Sequence, residues 1–217
     1  MTLIAPSLLS ADFTKLKEEI ISIEKSGADY LHLDIMDGHF VPNITFGPFI
    51  IAQLRKLTKI PFDTHLMISE PGRYIRDFAD AGSDFITVHA ETENHLHRTL
   101  QSIISSGKKT GVSVNPHTDL SFLKYVGNLV DILLIMTVNP GFGGQSFIEK
   151  AGEKITNARK FREKYGFSYS ISVDGGINRE TAPRAVKSGA DILVTGSCFF
   201  KTPEEERKKL VNSLKKR

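Results

Sequence analysis

Three short stretches hold the side chains best suited to metal and proton chemistry: "LHLDIMDG" at 31–38, "FDTHLM" at 62–67 and "SVDGG" at 172–176. If the first is a strand, alternation sends His32, Asp34 and Met36 to one face and Leu31, Leu33 and Ile35 to the other. The apolar set can pack on helices. An imidazole and a carboxylate then face inward, which is costly unless they are paired or bound to a metal. His65 and Asp174, at the ends of the other two stretches, would reach the same level. Two imidazoles and two carboxylates converging there suit Zn²⁺, Fe²⁺, Mn²⁺ or Co²⁺, with a position left for a substrate oxygen. Spacing alone leaves a second reading open, in which these groups are hydrogen-bonded and hold no ion. The other histidines suggest plainer roles. His95 and His97 fall at a polar helix start, His39 and His117 in loops, and His89 at a strand end, where packing is favoured over lining a pocket.

Glycine-rich segments "NPGFGGQS" (139–146), "DGGI" (174–177) and "TGSCFF" (195–200) form a second constellation. Glycines let backbone N–H groups approach an anion, and a helix start adds a favourable dipole, so three such segments at one rim point to phosphate. No lysine or arginine lies among these glycines, so amides, with Ser197, would carry the binding. Met36, Met67 and Met136 each fall at a strand end, and apart from Met1 they are the only methionines. Core filling explains most methionines; a shared level suggests an aprotic lining around a reactive carbanion.

Positioning these groups requires a regular scaffold. Short apolar runs alternate with stretches of helical period along the whole chain, the pattern of parallel strands with crossover helices. Eight runs are expected as strands: 3–9, 30–35, 62–67, 85–89, 110–114, 132–137, 169–173 and 192–195. Phe13, Leu16, Ile20 and Ile23 form one helical stripe after the first, with Ser10 or Asp12 placed to cap it. "GADYLHLD", "GSDFITVH" and "GADILVTG" repeat a helix-stopping glycine (Gly27, Gly82, Gly189), then Asp, then a strand. Eight units of about 27 residues fit a closed (β/α)8 TIM barrel over residues 1–217, one catalytic domain, better than an open doubly wound sheet. In a barrel the chemistry sits at the carboxyl ends of the strands.

Composition narrows the function. The 28 basic and 25 acidic residues leave +3, and much of the excess sits in a final helix (Lys208, Lys209, Lys215, Lys216, Arg217) that reads as a solvated face, so nucleic acid is not indicated. No run approaches the ~18 apolar residues of a membrane span. The single cysteine, Cys198, cannot form an internal disulfide. It reads as buried packing remote from the chemistry. The opening "MTLIAPSLLSADF" lacks the marks of a signal peptide, so a cytoplasmic setting is expected. Oligomeric state is left open.

The stretches "IAPSLLSADF", "LHLDIMDGHFVPNITFG", "THLMI", "MTVNPGFGGQSF", "VDGGIN" and "ADILVTGS" resemble the ribulose-phosphate 3-epimerase family along essentially the whole chain. That resemblance implies a ribulose-phosphate-binding barrel of the pentose phosphate and Calvin routes that interconverts D-ribulose 5-phosphate and D-xylulose 5-phosphate. It implies His32, Asp34, His65 and Asp174 as ligands of one divalent ion, Zn²⁺ first, with Asp34 and Asp174 doubling as the acid/base pair. It further implies substrate contacts from Ser7 and His65, and phosphate contacts from Gly143, Gly144, Gly176, Gly196 and Ser197. Gly141, Phe142 and Gly175 complete the substrate set, and Met36, Met67 and Met136 line the pocket. Inverting C3 through an enediolate needs a base on one face and an acid on the other, and the two aspartates come from roughly opposite walls. The nearest rival is an epimerase of a six-carbon ketose phosphate such as allulose 6-phosphate. A lyase of the same superfamily would want a lysine beside the aspartates, and a non-catalytic phosphosugar sensor need not keep both.

Overall fold

The computed structural model describes residues 2–215. Its strands are β1 (Leu3–Pro6), β2 (Leu31–Met36), β3 (Phe62–Met67), β4 (Phe85–His89), β5 (Lys109–Val114), β6 (Ile132–Met136), β7 (Ser170–Asp174) and β8 (Ile192–Thr195). All pair in parallel, in the order β1-β8-β7-β6-β5-β4-β3-β2. A bridge between Ser7 and His32, and the amides of Asp29 and Tyr30 on the carbonyl of Ile4, close the seam between β1 and β2. The helices are α1 (Leu16–Ser26), α2 (Pro48–Leu54), α3 (Ile75–Ala81), α4 (Leu96–Ser105), α5 (Leu123–Val126), α6 (Ala151–Tyr165), α7 (Thr181–Ser188), α8 (Ser197–Phe200) and α9 (Glu204–Lys215). The expected barrel is therefore formed, and no described helix is long and apolar enough to cross a membrane.

Alternation divides the core into two. Leu31, Leu33, Ile35, Leu66, Val88, Leu133 and Val173 face outward and pack with Ile20, Ile23, Leu100, Ile155 and Leu210 of the helices. Inside the barrel, Ala5, Ile132, Leu134, Met136, Ile192 and Val194 make an apolar wall. The strands across from it send polar groups inward: His32 and Asp34 from β2, Asp63 and His65 from β3, Thr87 and His89 from β4, all buried. Polar residues concentrated in a barrel interior mark a site, because each must find a partner there.

Gly27, Gly82 and Gly189 end α1, α3 and α7 with positive φ (77°, 108° and 121°), as the repeat predicts. The aspartate after each has a definite task at the amino-terminal end of the barrel. Asp29 accepts the amide N–H of Ile4 in β1 at 2.8 Å, Asp84 that of Phe62 in β3 at 2.8 Å, and Asp191 that of Ile171 in β7 at 2.9 Å. Asp131, before β6, does the same for Thr110 of β5 at 2.8 Å. Four carboxylates thus latch odd strands to even ones. Lys215, Arg55 and Arg162 pair with Asp29, Asp84 and Asp191, so Lys215 is not part of a merely solvated face; Lys216 and Arg217 lie outside the described residues.

The start of the chain differs from the expected strand 3–9 and resolves the choice of cap. β1 stops at Pro6, because the Ser7 hydroxyl accepts the N–H of Leu9 and turns the chain into a 3-10 turn, Leu8–Ser10. Asp12, not Ser10, then caps the next turn through Thr14. Phe13, in that turn, is 45 % exposed, so Leu16, Ile20 and Ile23 carry the stripe.

Candidate active site

The ends of β2, β3 and β7 bring His32, Asp34, His65 and Asp174 together, with one ligand atom of each within 4.8 Å of all the others. His32 Nε2 lies 3.3 Å from Asp34 Oδ1 and 3.9 Å from Asp174 Oδ2; His65 Nδ1 lies 3.1 Å and 4.0 Å from the same two atoms. These spacings bracket the ~3.4 Å edge of a tetrahedron with bonds of roughly 2.1 Å. His32 Nδ1 is 2.8 Å from Asp63 Oδ2, which leaves Nε2 aimed at the centre, buried and without a hydrogen-bond partner. An orphaned nitrogen beside two carboxylates and a second imidazole fits a divalent cation. This buried cluster could therefore bind a metal ion.

The charges within the cluster are unequal. Burial opposes charge on Asp34, but the neighbouring His32 outweighs it and holds the carboxyl well below its usual range. Burial, and then the neighbouring Asp34 carboxylate, push Asp174 up to about 7. Burial also opposes charge on His32, yet Asp34 and Asp63 keep it well above the ordinary histidine value, whereas His65 falls to about 4 chiefly through burial. Without metal, one aspartate is thus ionised at neutral pH and the other is poised between its two forms. Ser7 donates to Asp34 Oδ2 at 2.5 Å and fixes the plane of that carboxylate.

Above the cluster opens a cavity of about 560 Å³. Asp34, Asp174 and Ser7 reach it, as do Met36, Met67 and Met136, Gly141, Phe142, Gly143 and Gly144, Gly175 and Gly176, and Gly196 and Ser197. His32 and His65 stand fully buried behind the carboxylates and do not line it. Met36 and Met67 pack with Val41, beside Leu9 and Phe40. The glycines at the far end are tightly constrained: Gly176 has φ +65°, and a Cβ there would come 2.4 Å from the backbone N of Phe147.

Sequence reasoning missed several residues. Asp63 sits two positions before His65, and period-two alternation applied once more would have found it. Ser10 lines the cavity with its Oγ 2.8 Å from where a Cβ of Gly196 would be; only the 3-10 turn puts it there. Arg184 and Lys201 reach the cavity from outside the glycine segments, Arg184 ion-paired with Glu149. Cys198 is corrected: it packs on the core but also lines the cavity. His89 does not line the cavity; it is fully buried, with Nε2 2.9 Å from His65 Nε2.

Residues 3–200 match the family model described as the ribulose-phosphate 3 epimerase family. A ribulose-phosphate 3-epimerase of Bacillus subtilis (strain 168) is 49% identical over 216 residues, covering 99% of each chain. One from Escherichia coli (strain K12) is 43% identical over 214 residues, covering 98% of this chain and 94% of the relative. Among solved structures, the tryptophan synthase α-subunit of Pyrococcus furiosus superposes with a TM-score of 0.71 at 18% identity, covering 98% of this chain and 97% of that one, a likeness of fold alone.

Proposed function

The chain belongs to the ribulose-phosphate 3-epimerase family, and on that premise we propose that it interconverts D-ribulose 5-phosphate and D-xylulose 5-phosphate by two-base proton transfer at C3. The observation that carries this reading is the pair Asp34 and Asp174, brought from β2 and β7 to the floor of one cavity. Two carboxyls with opposite protonation are what inversion of a carbon acid needs. Ionised Asp34, held in orientation by Ser7, takes the C3 proton from one face. Protonated Asp174 delivers a proton to the other, and the roles exchange in the reverse direction.

His32, Asp34, His65 and Asp174 would hold one divalent ion, with Zn²⁺ the first choice for this N and O donor set and Fe²⁺, Mn²⁺ or Co²⁺ as alternatives. Bound there, the ion supplies positive charge against the developing enediolate oxygens. Met36, Met67 and Met136 present no exchangeable proton to the carbanion. The backbone amides of Gly143, Gly144, Gly176 and Gly196, with the Ser197 hydroxyl, hold the phosphate and so fix C3 between the two aspartates.

NMR of purified protein with D-ribulose 5-phosphate, and metal content measured alongside, tests this. Conversion to xylulose 5-phosphate that stops on chelation and returns with one divalent ion per chain is the expected result. Full turnover in metal-free protein would remove the ion from the reading, and turnover of allulose 6-phosphate alone would move the substrate to six carbons.

A further inference from the structure

Behind His65, on the side away from the cavity, stands the fully buried ring of His89 at the end of β4. The two rings lie edge to edge, their planes 24° apart and their centroids 5.0 Å apart, and their Nε2 atoms are 2.9 Å apart. Two nitrogens at that distance share one hydrogen, so one ring donates and the other accepts. The next link decides which. His89 Nδ1 lies 3.1 Å from Glu91 Oε2. Glu91 Oε1 accepts the N–H of Asn115 at 2.7 Å and the hydroxyl of Thr118. Burial opposes charge on Glu91, but these donors and His89 hold it down to about 2, so it can only accept. With Glu91 accepting, His89 carries a hydrogen on Nδ1 and accepts at Nε2. His65 donates from Nε2, and its Nδ1 is left as a lone pair.

This outcome is contested from the other end. Asp34 Oδ1, 3.1 Å from His65 Nδ1, would by itself draw the hydrogen onto that nitrogen and close it to a cation. His32 faces no such conflict, because Asp63 fixes its Nδ1–H directly and frees Nε2. His65 offers the opposite nitrogen to the centre, and an imidazole is interposed between it and its carboxylate.

We propose that His89 and Glu91 are positioning residues that hold His65 in the tautomer with Nδ1 unprotonated, presenting a lone pair to the four-ligand centre. This rests on the metal reading above, and the tautomer can be measured without any metal. In metal-free protein with ring ¹⁵N-labelled histidine, two-bond ¹H–¹⁵N correlation near neutral pH should show His65 protonated at Nε2. His89→Phe keeps the ring but removes the acceptor. It should move the hydrogen to Nδ1 and weaken Zn²⁺ binding, measured against a competing chelator, by roughly the 10–100-fold typical of a lost outer partner. His89→Gln, whose carbonyl can reach the same place, should restore the Nε2–H tautomer and most of the affinity. Finding Nδ1–H at His65 in the parent protein would overturn the proposal, even if His89→Phe fails to fold. So would a His89→Phe protein with parental tautomer and affinity. A parent that shows the His89-dependent tautomer yet takes up no Zn²⁺ would sink the metal reading and leave the tautomer lock supported.

Discussion

Replacing Asp174 by Asn should stabilise the metal-free protein, and by an amount that depends on pH. Above pH about 4 the unfolded chain releases this proton, whereas the folded protein keeps it until about 7. Between those values the folded state binds more protons, so stability falls as pH rises through the window and levels off above it. A carboxyl moved from 3.8 to about 7 implies a ceiling of about 4 kcal/mol. The side chain is 18% exposed at the cavity floor, and water there screens the interaction, so about 2 kcal/mol is a fairer figure. For a chain of this size that corresponds to roughly 4–8 °C in Tm. Thermal unfolding of Asp174→Asn and parent with chelator, from pH 4 to 8.5, is the measurement. The difference in Tm should be smallest at pH 4, grow to about pH 7 and then hold. Saturating divalent ion should reverse the ranking, because only the parent keeps all four ligands. A Tm difference that does not change with pH would refute the electrostatic argument, and a parent that gains on the variant as pH rises would invert it.

Other changes read different parts of the molecule. Gly176→Ala, which forces φ +65° on an L-residue and drives a Cβ against the Phe147 backbone, should raise KM for the phosphorylated ketose at least tenfold with a smaller effect on kcat, by steady-state kinetics. Asp34→Asn, once metal occupancy is shown to be retained, should lower kcat by roughly 10²–10⁴-fold. Product formed by the parent in deuterated water should carry deuterium at C3, and retention of the original hydrogen would exclude the two-carboxylate scheme. Asp191→Ala strips a partner from both Arg162 and the Ile171 amide. It should cost about 1–3 kcal/mol in denaturant unfolding.

What the sequence made legible follows from what period-two alternation and glycine can encode. Strand and helix order, and the inward facing of His32, Asp34, His65 and Asp174, were readable because each lies in a short run with clear polar and apolar faces. Gly27, Gly82 and Gly189 were readable because a helix end that turns left-handed favours glycine. Ser10 was not, because it reaches the cavity only when Ser7 diverts the chain from β1. Nor was the His89–Glu91 line, whose meaning depends on which nitrogens meet across two strands. Lys215 looked like one more solvated lysine until α9 folded back onto the loop holding Asp29.

The four aspartates at the amino-terminal ends of the even strands touch none of the chemistry, yet they govern it through register. A strand that slipped by one residue would turn its polar face to the helices. A slip of two would keep the facing but shift each side chain about 6.6 Å along the strand. That displacement exceeds the 4.8 Å within which all four ligand atoms meet, so it would lift one ligand out of the set and leave the others stranded. In a closed barrel the stagger of all the strands is linked, so an error at one seam is passed to the rest. Asp29, Asp84 and Asp191 pin β1 to β2, β3 to β4 and β7 to β8, the pairs that contain β2, β3 and β7. The height at which His32, Asp34, His65 and Asp174 converge is thereby set from the opposite mouth of the barrel.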